Sequence, residues 1–140
     1  MNDSPIAILS EDECWSFLRA GSFGRLAISA AGEIDIFPIN FVVDGETLVF
    51  RTAPGTKLLE LTIAHKVAFE IDGFDAAHAW SVVLKGTAAR IEQQAEIDAA
   101  DKLPLTPWIP TLKYTFVRIS ATDLSGRRFE RGPEPDRAIF

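Results

Sequence analysis

Between Glu33 and Val43 the chain places Ile34, Ile36, Phe37, Ile39, Phe41, Val42 and Val43 in one extended run, so apolar side chains fall on both faces of a single predicted strand. An antiparallel sheet with one wet face alternates apolar and polar residues along each strand, and this run does not. Its outer face therefore needs a cover. Either the N-terminal helix lies over ordinary sheet core, or a second subunit or a flat apolar ligand packs there. Trp80, Val82 and Leu84, set against Val83, repeat the pattern in a later strand.

The neighbouring segments supply a sheet for that strand to join. Gly24 to Ser29 reads as a strand, Ala30-Ala31-Gly32 as the turn that follows it, and Asp44-Gly45 as a two-residue turn pairing "INFVV" with "TLVFRTA". "KVAFEID", "WSVVLKGTAARI" and "KYTFVRI" (Lys113 to Ile119) read as further strands. Ser10-Glu-Asp-Glu13 has the form of a capping box opening a short helix that Gly21 ends. Thr56 caps a second helix to Ala64, Glu92 to Leu103 forms a third, Pro104 to Pro110 is a loop, and residues 125–140 read as an extended arm. Five or six strands joined by short turns, with helices too short for crossovers, predict a mainly β fold: an antiparallel β-barrel with helical decoration, in one domain over residues 1–140.

Composition narrows the function. With 140 residues, 47% of them hydrophobic, the chain can bury a core of its own. A formal charge of -6 argues against nucleic acid, which needs a basic face, so any anion site must be local. Cys14 alone, with His65 and His78, provides neither a disulfide framework nor a metal-ligand cluster. The acidic start MNDSPIAILSEDE is unlike a secretory signal, and no apolar stretch approaches the roughly 20 residues that span a bilayer. The expectation is a soluble, cytoplasmic protein with no membrane contact.

The octapeptide Phe50-Arg-Thr-Ala-Pro-Gly-Thr-Lys57 is where a local anion site belongs. Along the strand, Val49, Arg51 and Ala53 point one way and Leu48, Phe50 and Thr52 the other. Lys57 falls in the first helical turn, where free amides and the macrodipole disfavour a cation unless an anion is bound. Two cations, the hydroxyls of Thr52 and Thr56 and a permissive Gly55 are the ingredients of a phosphate site. Solvated charges around an ordinary turn are the plainer alternative. The nucleotide-binding loop and the dinucleotide fingerprint are both absent.

The run "DIFPINFVVDGETLVFRTAPGTKLLEL" followed by "WSVVLKGTAARI" resembles the FMN-binding split-barrel family, the pyridoxamine 5'-phosphate oxidase-like proteins, from about Gly24 to Ile91. That resemblance implies a Greek-key split barrel holding FMN at the interface of a homodimer. It implies that Arg51, Thr52, Ala53, Thr56 and Lys57 cradle the phosphate, and that Pro38, Ile39, Asn40 and Phe41 run along the isoalloxazine ring. Trp80, Ser81 and Val82 match a segment that reaches the cofactor from the partner subunit; Trp80 serves equally as a barrel plug. The short C-terminal Ser125-Gly-Arg-Arg-Phe129 departs from the arm with which the vitamin-processing oxidases hold their substrate, and places the chain nearer the small nitroimidazole-resistance-like flavoproteins. The implied activity is electron transfer from NADH or NADPH to a small acceptor. A non-catalytic carrier of FMN, F420 or haem is the alternative.

Other polar residues read more plainly. His65 suits a helix C-terminus, His78 a solvated loop, Cys14 an inert core thiol. Arg127 and Arg128 either close over a flavin pocket or solubilise the arm. Asp35 and Asp72 show no pairing that suggests hydrolase chemistry.

Overall fold

The protein is described here by a computed structural model covering residues 5–63, 66–108 and 114–133. The expectations for His65, for the strand start at Lys113 and for the end of the C-terminal arm lie outside the described residues. In chain order the elements are β1 (Ile6–Ile8), α1 (Glu11–Ala20), β2 (Phe23–Ala30), β3 (Glu33–Asn40), β4 (Val42–Asp44), β5 (Thr47–Thr52), α2 (Lys57–Thr62), β6 (Lys66–Phe74), β7 (His78–Arg90), α3 (Gln94–Asp101) and β8 (Thr115–Glu130).

All strands belong to one antiparallel sheet of eight, in the order β3-β2-β6-β7-β8-β5-β4, with β1 added on β8. β3 and β4 stand at opposite ends of that order, yet only Phe41 separates them in the chain. Two Cα–Cα steps reach about 7 Å. The sheet must therefore curl until its two edges meet at Phe41, which makes a strongly curled half-barrel. Phe41 is anchored there: its N–H donates to the Ser22 carbonyl at 3.1 Å, and its ring packs edge-on against Phe69 with centroids 4.8 Å apart.

Among the described residues eight strands replace the expected five or six, for two reasons. The predicted strand over 33–43 breaks at Phe41, and the N-terminal β1 pairs with the second half of β8, Ile6 opposite Phe129 and Ile8 opposite Arg127. The same pairing corrects the arm: Ser125 to Glu130 are strand, hydrogen-bonded between β1 and β7. The second hairpin turns on Gly45-Glu46 rather than Asp44-Gly45, since Asp44 pairs with Thr47; Gly45 has φ +62°, the first-position glycine of a tight hairpin turn.

Inside the curl, Leu26, Phe50, Phe69, Val82 and Leu84 are fully buried, and α1 adds Cys14, Trp15 and Leu18. The capping box forms as its residues dictate. Ser10 Oγ accepts from the Glu13 N–H at 3.2 Å, and Glu13 Oε1 accepts from the Ser10 N–H at 3.0 Å. Beneath α3 a smaller cluster joins Val49, Ile91, Ala100 and Phe116. Among the described residues no helix is long and apolar enough to cross a membrane.

The outward face is where the doubly apolar strand shows itself. Ile34, Ile36 and Pro38 lie opposite Ser29, Ala27 and Arg25 of β2, and Ile34 and Ile36 are 77% and 65% exposed. α1 packs against β4, β7 and β8, so the helix is not their cover. By register Ile6, Ile8 and Phe74 also point outward, since Ile6, Phe129, Ala79 and Phe74 form one cross-strand row.

On the same face Arg25 reaches both Glu70 (3.3 Å) and Asp72 (3.2 Å). Burial, then the neighbouring Asp72, lift the Glu70 carboxyl from its ordinary 4.5 to about 7, outweighing Arg25. A raised folded-state value means that the folded chain holds a proton the unfolded chain has released. This group's contribution to stability is thus complete below about 4.5 and lost as pH climbs through about 7. Glu13 and Asp75, held low by hydrogen bonds from backbone N–H groups, act in the opposite sense and only in more acidic solution. Urea midpoints at pH 5 and pH 8 should therefore fall with pH in the wild type, and Glu70→Gln should flatten that fall. An unchanged slope in Glu70→Gln would assign the dependence elsewhere.

Candidate functional site

β5 leads into the site. Leu48 and Phe50 enter the main core, while Val49 and Arg51 face the smaller cluster under α3. Thr52 ends the strand, Pro54-Gly55 reverses the chain with Gly55 at φ +74°, and Thr56 caps α2. Only a residue without a Cβ takes that φ freely. The turn brings the two hydroxyls together, Thr52 Oγ1 to Thr56 Oγ1 at 3.0 Å.

A cleft of about 300 Å³ opens beside this turn. Its walls are the end of β3 (Pro38, Ile39, Asn40), the end of β5 with Ala53, the start of α2 (Thr56, Leu58) and the loop after α3 (Leu105, Pro107). Seven of the sequence-predicted residues thus share one cavity: Pro38, Ile39, Asn40, Arg51, Thr52, Ala53 and Thr56.

Arg51 is the charged member. Its guanidinium carbon stands 4.3 Å from the centroid of the Tyr114 ring, and its Nε is buried without a hydrogen-bond acceptor among the described residues. Among the described residues no carboxylate pairs with it. Tyr114 in turn donates from its hydroxyl to Asp101 Oδ1 at 2.8 Å; that bond first, then burial, holds the phenol above its ordinary value of 10. Asp101 on α3 therefore steadies the ring on which Arg51 rests.

The remaining predicted residues sit elsewhere. Lys57 extends its ammonium to Asp35 Oδ1 at 3.4 Å, across to β3, and does not line the cleft. The amides of α2 are also less free than expected, because Thr56 Oγ1 already accepts from the Leu59 N–H at 3.2 Å. Phe41 is core. Trp80 points inward, its ring 5.3 Å from Phe17 and over Gly73, and Val82 is fully buried. Ser81 points outward into a separate cavity with Ile8 and Arg127.

His78 is not a solvated loop residue. It opens β7, with Nε2 3.0 Å from an Arg128 nitrogen and Nδ1 3.8 Å from Asp75. Since Arg128 can only donate, Nε2 accepts and the ring proton faces Asp75.

Sequence reasoning missed Leu58, Leu105, Pro107, Tyr114 and Asp101, all near the cleft. It also missed Trp108, whose backbone N–H donates to Asn40 Oδ1 at 2.9 Å and whose ring stacks on Phe23 with centroids 4.5 Å apart. A tryptophan in a proline-flanked loop was the available signal.

The sequence profile described as pyridoxamine 5'-phosphate oxidase matches residues 10–128. An uncharacterised protein of Mycobacterium tuberculosis is 41% identical over 97 residues, 69% of this chain and 88% of its own length. A Corynebacterium glutamicum crystal structure of the same family is 44% identical with a TM-score of 0.88, covering 96% of this chain and 100% of that one. A structure described as the FAD binding protein from Mycobacterium smegmatis is 41% identical with a TM-score of 0.82, covering 90% of this chain and 100% of that one. A Bacteroides thetaiotaomicron structure described by 5-nitroimidazole antibiotic resistance is only 13% identical, with a TM-score of 0.71 over 89% of each chain. That likeness is one of fold alone, so the expected nearness to the nitroimidazole-resistance branch gives way to the relatives at 41–44% identity.

Proposed function

The chain belongs to the pyridoxamine 5'-phosphate oxidase family, and on that premise we propose that it is a flavoprotein with the phosphate of an FMN moiety against Arg51 and the ring along Pro38, Ile39 and Asn40. One observation carries this reading: the Arg51 Nε, a buried donor without an acceptor among the described residues, in a cleft beside a pair of hydroxyls. Leaving such a donor unmet costs about 1–3 kcal/mol, and a phosphate oxygen would convert that cost into a charge-assisted bond.

Bound flavin supplies the redox chemistry. This chain's part is to hold and orient. Arg51 and the hydroxyls of Thr52 and Thr56 fix the phosphate, the end of β3 places the ring, and Leu58, Leu105 and Pro107 keep water from it. Electrons arriving from a reduced nicotinamide and leaving to a small acceptor make the protein an oxidoreductase. A carrier without turnover is the second reading, favoured by one fact: Arg51 is the only ionisable side chain among the described residues lining the cleft, so none of these side chains trades a proton near neutrality.

A homodimer belongs to the same proposal. The outward Ile34 and Ile36 call for a cover, and Ser81 lies on that outward face where a second copy would meet it. Trp80 and Val82 would then act by shaping β7 rather than by touching the partner's cofactor.

Denaturing the purified protein and weighing the released chromophore tests the reading. FMN or FAD is the expected mass; F420, haem or no chromophore would refute it. Bleaching of the flavin band by NADH or NADPH, with recovery on an added acceptor, separates the enzyme from the carrier, and light scattering reads the dimer.

A further inference from the structure

Six large apolar side chains are exposed among the described residues, and five of them, Ile6, Ile8, Ile34, Ile36 and Phe74, point outward from the sheet. The sixth is Trp108, 68% exposed, and it stands at the rim of the cleft next to Pro107 and Asn40. Its ring is not loose. Phe23 lies under it at 4.5 Å with the planes only 15° apart, and the residue's backbone is held in place by its main-chain N–H, which donates to Asn40 Oδ1 at 2.9 Å. The indole is thus a pre-positioned flat surface, whose ordering cost is met before any ligand arrives.

The cleft beside it, about 300 Å³, is at the lower end of the range for ligand cavities, about 300–1,000 Å³. A dinucleotide cannot place both of its ring systems inside. Its second ring must lie on the rim, where Trp108 offers a π-face of the kind on which nucleobases stack.

We infer that Trp108 is the platform for the adenine ring of FAD, an inference that rests on the flavin reading above and makes the dinucleotide the preferred form of the cofactor. The FMN moiety occupies the cleft, and the adenosine arm leaves it past Asn40 to lay its base on the indole.

The test uses the full chain, stripped of flavin, titrated with FMN and with FAD. Wild type should bind FAD the more tightly. Trp108→Ala should weaken FAD about tenfold and leave FMN within about twofold, the loss of one base–aromatic stack. Trp108→Phe should keep most of the FAD preference, and ADP should compete with FAD on the wild type but not on Trp108→Ala. Equal weakening of FMN and FAD by Trp108→Ala would mean that the indole serves the flavin ring, and would overturn the inference, as would an unchanged FAD affinity. Wild type that binds FMN and FAD equally refutes the adenine platform alone; wild type that binds neither refutes the flavin reading with it.

Discussion

Gly86→Ala should cost the fold about 3 kcal/mol or more, enough to leave much of the chain insoluble. Gly86 lies in β7 at the β-bulge where pairing with β8 slips, Lys85 opposite Asp123 but Gly86 opposite Ala121. A Cβ there would stand 2.0 Å from the Ser120 carbonyl oxygen and 2.9 Å from its carbon. Those are backbone atoms of the adjoining strand, and no side-chain rotation relieves the overlap. Relief would require β7 and β8 to part at the centre of the sheet, next to the fully buried Leu84 and Ile119. Urea unfolding of whatever soluble fraction remains gives the number. A loss under about 1 kcal/mol would mean that the bulge yields more easily than its packing indicates.

Arg51→Met should produce the largest functional effect and an opposite effect on the empty protein. Methionine keeps the length and apolar stem of arginine and removes the charge, so flavin affinity should fall about 100-fold, the worth of a charge-assisted contact to phosphate of about 3 kcal/mol. The flavin-free chain should be no less stable than wild type. It loses a cation–π contact worth about 0.5–1 kcal/mol, and it sheds a buried donor whose unmet bond costs about 1–3 kcal/mol. Flavin titration and urea midpoints of the stripped proteins read the two effects. Lys57→Ala provides the contrast: its side chain is 64% exposed and its ammonium goes to Asp35, so flavin affinity should change less than about threefold. A Lys57→Ala loss equal to that of Arg51→Met would restore the two-cation turn that the octapeptide suggests.

What the chain discloses in advance is its local chemistry. Ser10 and Glu13 cap α1 through bonds that span three residues, and Thr56 caps α2 in the same way, so both were readable. The alternation of Arg51 against Phe50 along β5 likewise follows from strand geometry alone. The failures are long-range. Lys57 finds Asp35 22 residues away, a partner no local pattern names. Ser125 to Glu130 are polar enough to pass for an arm, and become strand only because β1 and β7 flank them. Phe41 reads as one more apolar strand residue, but joining the two edges of the curled sheet breaks the strand there. Asp101 falls in a predicted helix, Tyr114 in a predicted strand and Trp108 in the Pro104 to Pro110 loop, and only tertiary folding brings the three to one cleft.

Whether Arg51 holds a flavin phosphate is read from the affinity of the purified chain for FMN against riboflavin, which differ by the phosphate, repeated on Arg51→Met. Wild type should prefer FMN by about 100-fold, and the preference should shrink to within about threefold without the guanidinium. Equal binding of FMN and riboflavin by wild type, or a preference that survives Arg51→Met, would contradict that role for Arg51.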